Sequence, residues 1–350
     1  MSANVLLVRP DNAGDVLLTG PAVRAVAATA AHVTFWCGPN GRRAAEMLHG
    51  VDDVLCAALP WIDPGPDGVV WETIASLARE VEAAEADEAY VFTSFHQSPL
   101  PTALVVRMAG VQRVAAICED YPGALLDVRH RVPDGIHEVE RALSLVATGG
   151  YRLPAGDSGR LGVRGLVDAP GMPQDPFVVV HPGASVPARA WGADRYTGLV
   201  DALLSEGWRV AVTGGEDETE LTAHVAGGPR PGVTDLGGRT SWRELAGVLS
   251  GARGVVVGNT GPAHLAAAVG APVVSLFAPT VPLERWRPWG VPVEVLGDTG
   301  IACGGCRARD CPLPGHPCVE GIAVGEVVDA VRRLLSDRDR SLPWLLGDRA

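Results

Sequence analysis

Apolar residues along this chain fall into two patterns. Some form short unbroken runs, and others recur every three or four residues over longer stretches, as buried strands and amphipathic helices do. The runs at 4–8, 32–37, 51–56, 89–93 and 114–117 predict strands. Helices are predicted between them over 16–30, 42–48, 71–84 and 101–109, and over 137–148 after a polar loop that reaches Gly135. Residues 60–68 (PWIDPGPDG) read as a surface loop, and 151–174, rich in Gly, Pro, Asp and Arg, as a linker. A second series follows, with strands at 177–181, 209–213, 233–236, 255–257 and 273–277. Its helices are predicted over 194–205, 216–226, 242–250 and 326–335, with one more carrying Leu265, Ala266 and Val269. Strict alternation of strand and helix predicts a parallel sheet covered on both faces. Two such series joined by one linker predict two facing Rossmann-like domains with a cleft between them, residues 1–165 and 175–335.

The stretch VVVGNTGPAHLAAAVGAPVVSLFAP (255–279) concentrates the chemistry of the second series. A buried strand stops at Gly258, Asn259 and Thr260 offer side-chain oxygens as helix caps, and Pro262 suits the first helical turn. A helix N-terminus packed on a sheet presents N–H groups and a positive dipole end, which suits a diphosphate. His264 in the first turn could reach the same oxygens, although a packed crossover with a capping histidine explains the stretch equally well.

Composition narrows the chemistry. Among 350 residues there is no lysine, so all 29 basic residues are arginine. A GxxxxGK[ST] phosphate loop and a pyridoxal Schiff base are therefore excluded. No GxGxxG follows any predicted strand, which disfavours an ordinary dinucleotide dehydrogenase. A net charge of −12 argues against nucleic acid and against a polybasic membrane patch. No apolar run is long enough for a transmembrane segment, and MSANVLLVRP lacks the form of a signal peptide. With seven cysteines and no export signal, the expected setting is the cytoplasm, with transient contact at the inner membrane face left open.

Three further places at strand ends could carry function. Asp15, in the Gly14-Asp15 pair after the first strand, could act as a general base, or could simply cap the helix. The turn His181-Pro182-Gly183-Ala184-Ser185, with Arg189-Ala190-Trp191 after it, suits a diphosphate clamp because arginine binds phosphate bidentately. Glu216, in Thr213-Gly214-Gly215-Glu216, could bind the two hydroxyls of a ribose, or could serve only the helix dipole.

Taken in order, these elements resemble the heptosyltransferases, glycosyltransferase family 9. The shared features are a first strand leading to Gly-Asp, the HPG turn with a basic residue before Trp, the Gly-Gly-Glu, and the [DN]TGxxH helix. The resemblance runs from Asn4 to about Leu335. It implies a GT-B fold and an inverting, metal-independent transfer of a sugar from a nucleoside diphosphate donor resembling ADP-heptose, with no cofactor required. It implies Asp15 as base, Arg189 on the diphosphate where many members have lysine, and Glu216 on the ribose. Thr260, Gly261 and His264 would lie at the phosphates and sugar, with Ser185 in the clamp turn. Asn259 stands where many members have Asp, so a contact there that needs charge is not supplied.

Cys303-Gly-Gly-Cys306, Cys311 and Cys318, with His316 among them, are compatible with a structural zinc site, a disulfide-closed loop or free thiols. Cys37, Cys56 and Cys118 read as small core residues. Trp286 and Trp289 read as packing of an irregular loop or part of a sugar pocket, and the tail 341–350 as a weak membrane-surface segment. Three functions compete: transfer to a glycan or small-metabolite acceptor, epimerisation of a nucleotide sugar, and nucleotide-sugar binding without catalysis. Asp15 favours transfer.

Overall fold

The computed structural model describes residues 2–62 and 68–340, the last four of these by backbone only. Part of the expected 60–68 loop and the whole 341–350 tail therefore lie outside the described residues. The chain divides into two compact units, Met1–Arg164 and Gly165–Ala350.

The first unit is built on β1 (Asn4–Arg9), β2 (His32–Cys37), β3 (Asp53–Cys56), β4 (Glu88–Val91), β5 (Arg113–Ile117) and β6 (Val128–His130). All pair in parallel, in the order β3-β2-β1-β4-β5-β6. The central strands are buried from end to end, Val5–Arg9 in β1 and all of β4, as a sheet covered on both faces requires. The amphipathic helix Trp71–Glu82 turns Leu77, Ala78 and Val81 inward, and these pack with Leu6, Val8, Val91 and Val106 in one core.

The second unit repeats the plan with β7 (Phe177–His181), β8 (Arg209–Val212), β9 (Val233–Asp235), β10 (Gly254–Gly258), β11 (Val273–Leu276) and β12 (Val293–Leu296). Its order, β12-β11-β10-β7-β8-β9, is that of the first unit read from the other edge. In each unit the strand order reverses beside the first strand, between β1 and β4 and between β7 and β10. Ligands of open α/β sheets bind at such switch points, outside the carboxyl ends of the strands.

Four local features depart from the sequence expectations. The long first helix is two helices, Ala13–Leu18 and Gly20–Ala27, broken where the Thr19 hydroxyl bonds back to the Val16 carbonyl at 2.6 Å and Pro21 has no N–H to give. Two of the four edge strands, β6 and β12, were not predicted, and they complete one edge of each sheet. Part of the expected linker is not loose: Asp157 takes Arg24 in an ion pair at 2.6 Å, and Val163 bridges Leu48. Cys37 and Cys118 are buried, whereas Cys56, opposite Cys37 across β2 and β3, is only half-buried. No helix among the described residues is long and apolar enough to cross a membrane.

Candidate functional site

At the switch point of the first unit, β1 ends in Arg9, a charged residue only 2% exposed. An isolated buried guanidinium is very costly, so it must be surrounded by charge. Three carboxylates do this: Asp11 at 2.7 Å, Asp15 at 3.0 Å and Glu138 at 3.3 Å. The Ser94 hydroxyl, beyond β4, accepts a further bond at 3.3 Å. Glu138 begins the helix Glu138–Val146 and also pairs with Arg141 at 3.0 Å. The cluster thus holds three acids against two arginines. Burial opposes the charge on Arg9, but Asp11, Asp15 and Glu138 outweigh it and hold the guanidinium protonated above its ordinary range.

The two candidate acids differ. Asp11 is 8% exposed and gives both oxygens to protein, one facing Arg9 and the other accepting from Gln97 at 2.8 Å. Burial pushes its carboxyl up to about 6, with Arg9 pulling it back and Asp15 adding to the rise. Its close contact with Arg9 would by itself predict a lowered value. Burial, with acids outnumbering cations in the cluster, outweighs that pull. Asp15 is the more accessible, at 18% exposed. It is not a cap: Asn12 holds the N-cap position, and Asp15 sits inside the first turn. From that place in the first turn its charge also favours the positive end of the helix.

In the second unit β7 ends at His181, whose Nδ1 lies 2.9 Å from the hydroxyl of Thr213, the residue after β8. Burial pushes its pKa down to about 4, so the ring is neutral and the 4.0 Å approach of Glu218 to Nε2 is no ion pair. Glu218 instead accepts from the Gly215 N–H at 2.8 Å, and its carboxylate covers the HPG turn. A Cβ on Gly183 would stand 2.1 Å from a Glu218 oxygen, so only glycine lets the acid lie there. Glu216 opens the short 3-10 turn Glu216–Glu218 and is exposed, as is Ser185.

Beyond β10 the predicted caps are not formed. Thr260 occupies the N-cap position of the helix Gly261–Ala268, but its side chain caps nothing. Asn259 is turned away from the helix: its amide donates to the Ala278 carbonyl at 3.0 Å and accepts from the Ala278 N–H at 3.2 Å. The helix mouth is therefore left without a side-chain cap, a condition that suits an anion. Arg189 stands beside it, its Nη1 donating to the Asn259 carbonyl at 3.4 Å and its Nε to the Thr280 hydroxyl at 3.1 Å. Arg189 is half-buried rather than on an open turn, and His264 is 5% exposed within the helix.

The structure thus brings Arg189, Asn259 and Thr260 together, and sets Asp15 in the Arg9 cluster. Sequence reasoning missed Arg9, Glu138 and Thr280. Arg9 carried a signal, as a charge ending an otherwise apolar run, whereas Glu138 lies 129 residues away and carried none. Among the described residues no three His, Cys, Asp or Glu side chains form a metal-holding group. Burial raises the Cys318 thiol, and Cys311, Cys303 and Cys306 add to the rise, so the four sulfurs share a neighbourhood without converging.

The family model of glycosyltransferase family 9 (heptosyltransferase) matches residues 74–316. The chain belongs to this family. Lipopolysaccharide heptosyltransferase 1 of Pseudomonas aeruginosa is 30% identical over 291 residues, covering 79% of each protein. Lipopolysaccharide heptosyltransferase 3 of Escherichia coli is 34% identical over 130 residues, and the match spans only 38% of that relative's length. Among solved structures, E. coli heptosyltransferase WaaC with ADP aligns with TM-score 0.68 at 20% identity, covering 94% of this chain and 99% of that one. The fold is therefore GT-B, built of two Rossmann-like units. The family match begins at residue 74, so the Asp15 loop lies outside it and rests on its own geometry.

Proposed function

We propose that this family 9 member is an inverting glycosyltransferase that moves a heptose-class sugar from an ADP-linked donor to a hydroxyl of a glycan or small-metabolite acceptor. The observation that carries the reading is Asp15, a partly exposed carboxylate fixed on a buried arginine at a switch point. An alcohol is a weak nucleophile at neutral pH, and Asp15 takes its proton as the oxygen attacks the anomeric carbon. The leaving diphosphate gathers negative charge. Arg189 and the uncapped N-terminus of Gly261–Ala268 offset it, in place of the lysine many members use. Glu216 holds the ribose, Thr260, Gly261 and His264 meet the phosphates and sugar, and Ser185 borders the clamp turn. Asn259, with its amide committed to Ala278, serves through its backbone carbonyl on Arg189. The ADP preference follows relatives whose names and titles carry heptosyl transfer and ADP.

A structural zinc on Cys303, Cys306, Cys311 and Cys318 is a separate proposal, because the thiols as they stand do not converge and the loop would have to draw them together. No step of transfer passes through it. Protein purified without added metal should carry about one equivalent if the site forms, and less than about a tenth ends the proposal. The transfer reading is tested by melting the protein with ADP, GDP, UDP and dTDP, then incubating it with ADP-heptose with and without acceptor. ADP at about 100 times its dissociation constant should stabilise by roughly 2.7 kcal/mol. A shift with another nucleotide alone refutes the donor, and sugar product without acceptor refutes transfer.

A further inference from the structure

The segment carrying Arg189 is fastened to a part of the chain that the reaction does not use. Residues 299–317 form a loop closed at its base by the Asp298 N–H on the Cys318 carbonyl at 2.9 Å. Ala188, in the 3-10 turn Pro187–Arg189, is 2% exposed and gives both its backbone groups to this loop. Its N–H donates to the Arg309 carbonyl at 2.9 Å, and its carbonyl accepts from His316 Nε2 at 3.0 Å. A carbonyl can only accept, so the imidazole carries its proton on Nε2. The far end of Arg189 is held by the same loop at one remove. Thr280, which accepts from the guanidinium, has its own carbonyl bonded by the Arg307 N–H at 3.0 Å, and Pro279 takes the Gly305 N–H at 2.7 Å.

His316 holds this place in a backbone conformation that side chains avoid, φ +44°, immediately after Gly315 at φ +74°. The left-handed region is costly for a residue with a Cβ and is kept only where surrounding contacts enforce it. Here the enforced conformation delivers the ring to Ala188.

We propose that the cysteine loop is a positioning element for the donor site, with His316 as the positioning residue that fixes the Pro187–Arg189 turn and so aims the Arg189 guanidinium at a diphosphate. This rests on the reading of Arg189 as a diphosphate ligand. The test compares ADP with adenosine, which lacks the phosphates, by calorimetry on the full chain. His316→Phe keeps the bulk of the ring and removes the donor; it should weaken ADP about 3- to 10-fold, the effect of one hydrogen bond, and leave adenosine unchanged. His316→Gln, whose amide can reach the carbonyl, should restore ADP binding. Arg189→Ala with His316→Phe should bind ADP no worse than Arg189→Ala alone, since both act through one group. The inference is overturned if His316→Phe binds ADP as wild type does, if adenosine falls equally, or if the double variant loses additively. Wild-type ADP binding by Arg189→Ala would instead remove the diphosphate reading itself.

Discussion

Replacing Asp15 by Asn tests the chemistry with little disturbance of the fold. The exchange keeps size and leaves an oxygen able to accept from Arg9, but it abolishes the basicity. A positioned base contributes about 10²–10⁴ in rate, so single-turnover transfer should fall by that factor, about 2.7–5.4 kcal/mol of lost transition-state stabilisation. Stability should change far less. Arg9 keeps Asp11 at 2.7 Å and Glu138 at 3.3 Å, and the Asn oxygen still accepts from it while two acids remain against two arginines, so the change should cost about 1 kcal/mol, the scale of one weakened hydrogen bond. Donor affinity should hold, because Asp15 belongs to the acceptor half of the reaction. The assay is single-turnover transfer beside ADP affinity and a melting curve, for Asp15→Asn and Asp11→Asn together. Asp11 has both oxygens engaged by Arg9 and Gln97, so its variant should retain the greater share of turnover. Transfer above a tenth of wild type in Asp15→Asn would refute the assignment and pass it to Asp11, and a donor affinity falling in step with turnover would show the loss to be structural.

Arg189→Ala should weaken ADP by about 1.5–3 kcal/mol in calorimetry, and His264→Ala should lose more for the intact sugar donor than for ADP. His181 has a folded-state pKa of about 4 against an ordinary 6.5, so the unfolded chain takes up the proton first as pH falls. Stability from its neutral ring is complete above pH 6.5 and is lost between 6.5 and 4, about 3 kcal/mol across that window. His181→Gln should flatten this part of the pH dependence of denaturant unfolding, and equal slopes for variant and wild type would contradict it. Gly183→Ala should displace Glu218 from the Gly215 N–H and cost about 1 kcal/mol, read from the denaturation midpoint.

The interior of both sheets was legible because strands buried on both faces read as unbroken apolar runs, as in Val5–Val8 and Val255–Val257. Two of the four edge strands were not: Val128–His130 and Val293–Leu296 are half-buried throughout and short, and each follows a polar, Gly- and Pro-containing stretch that reads as loop. The donor motifs were readable because each is local, a strand end followed at once by its loop. The Arg9 cluster joins residues 9, 11, 15, 94 and 138, which only the fold brings together. Asn259 misled for a related reason. An asparagine before a helix reads as a cap, and nothing nearby in sequence announces that Ala278, 19 residues on, competes for both ends of its amide.

That competition gives the donor loop a built-in reporter. The Ala278 N–H is bonded to a side chain rather than to a neighbouring strand, in a residue with no exposed surface. Its exchange with solvent deuterium therefore requires the Asn259 amide to let go, and letting go breaks the partner bond in the same movement. The amide of Ala278 should exchange at the opening rate of the loop and slow when a nucleotide is bound, while Val256 inside β10 exchanges only with deeper unfolding of the sheet.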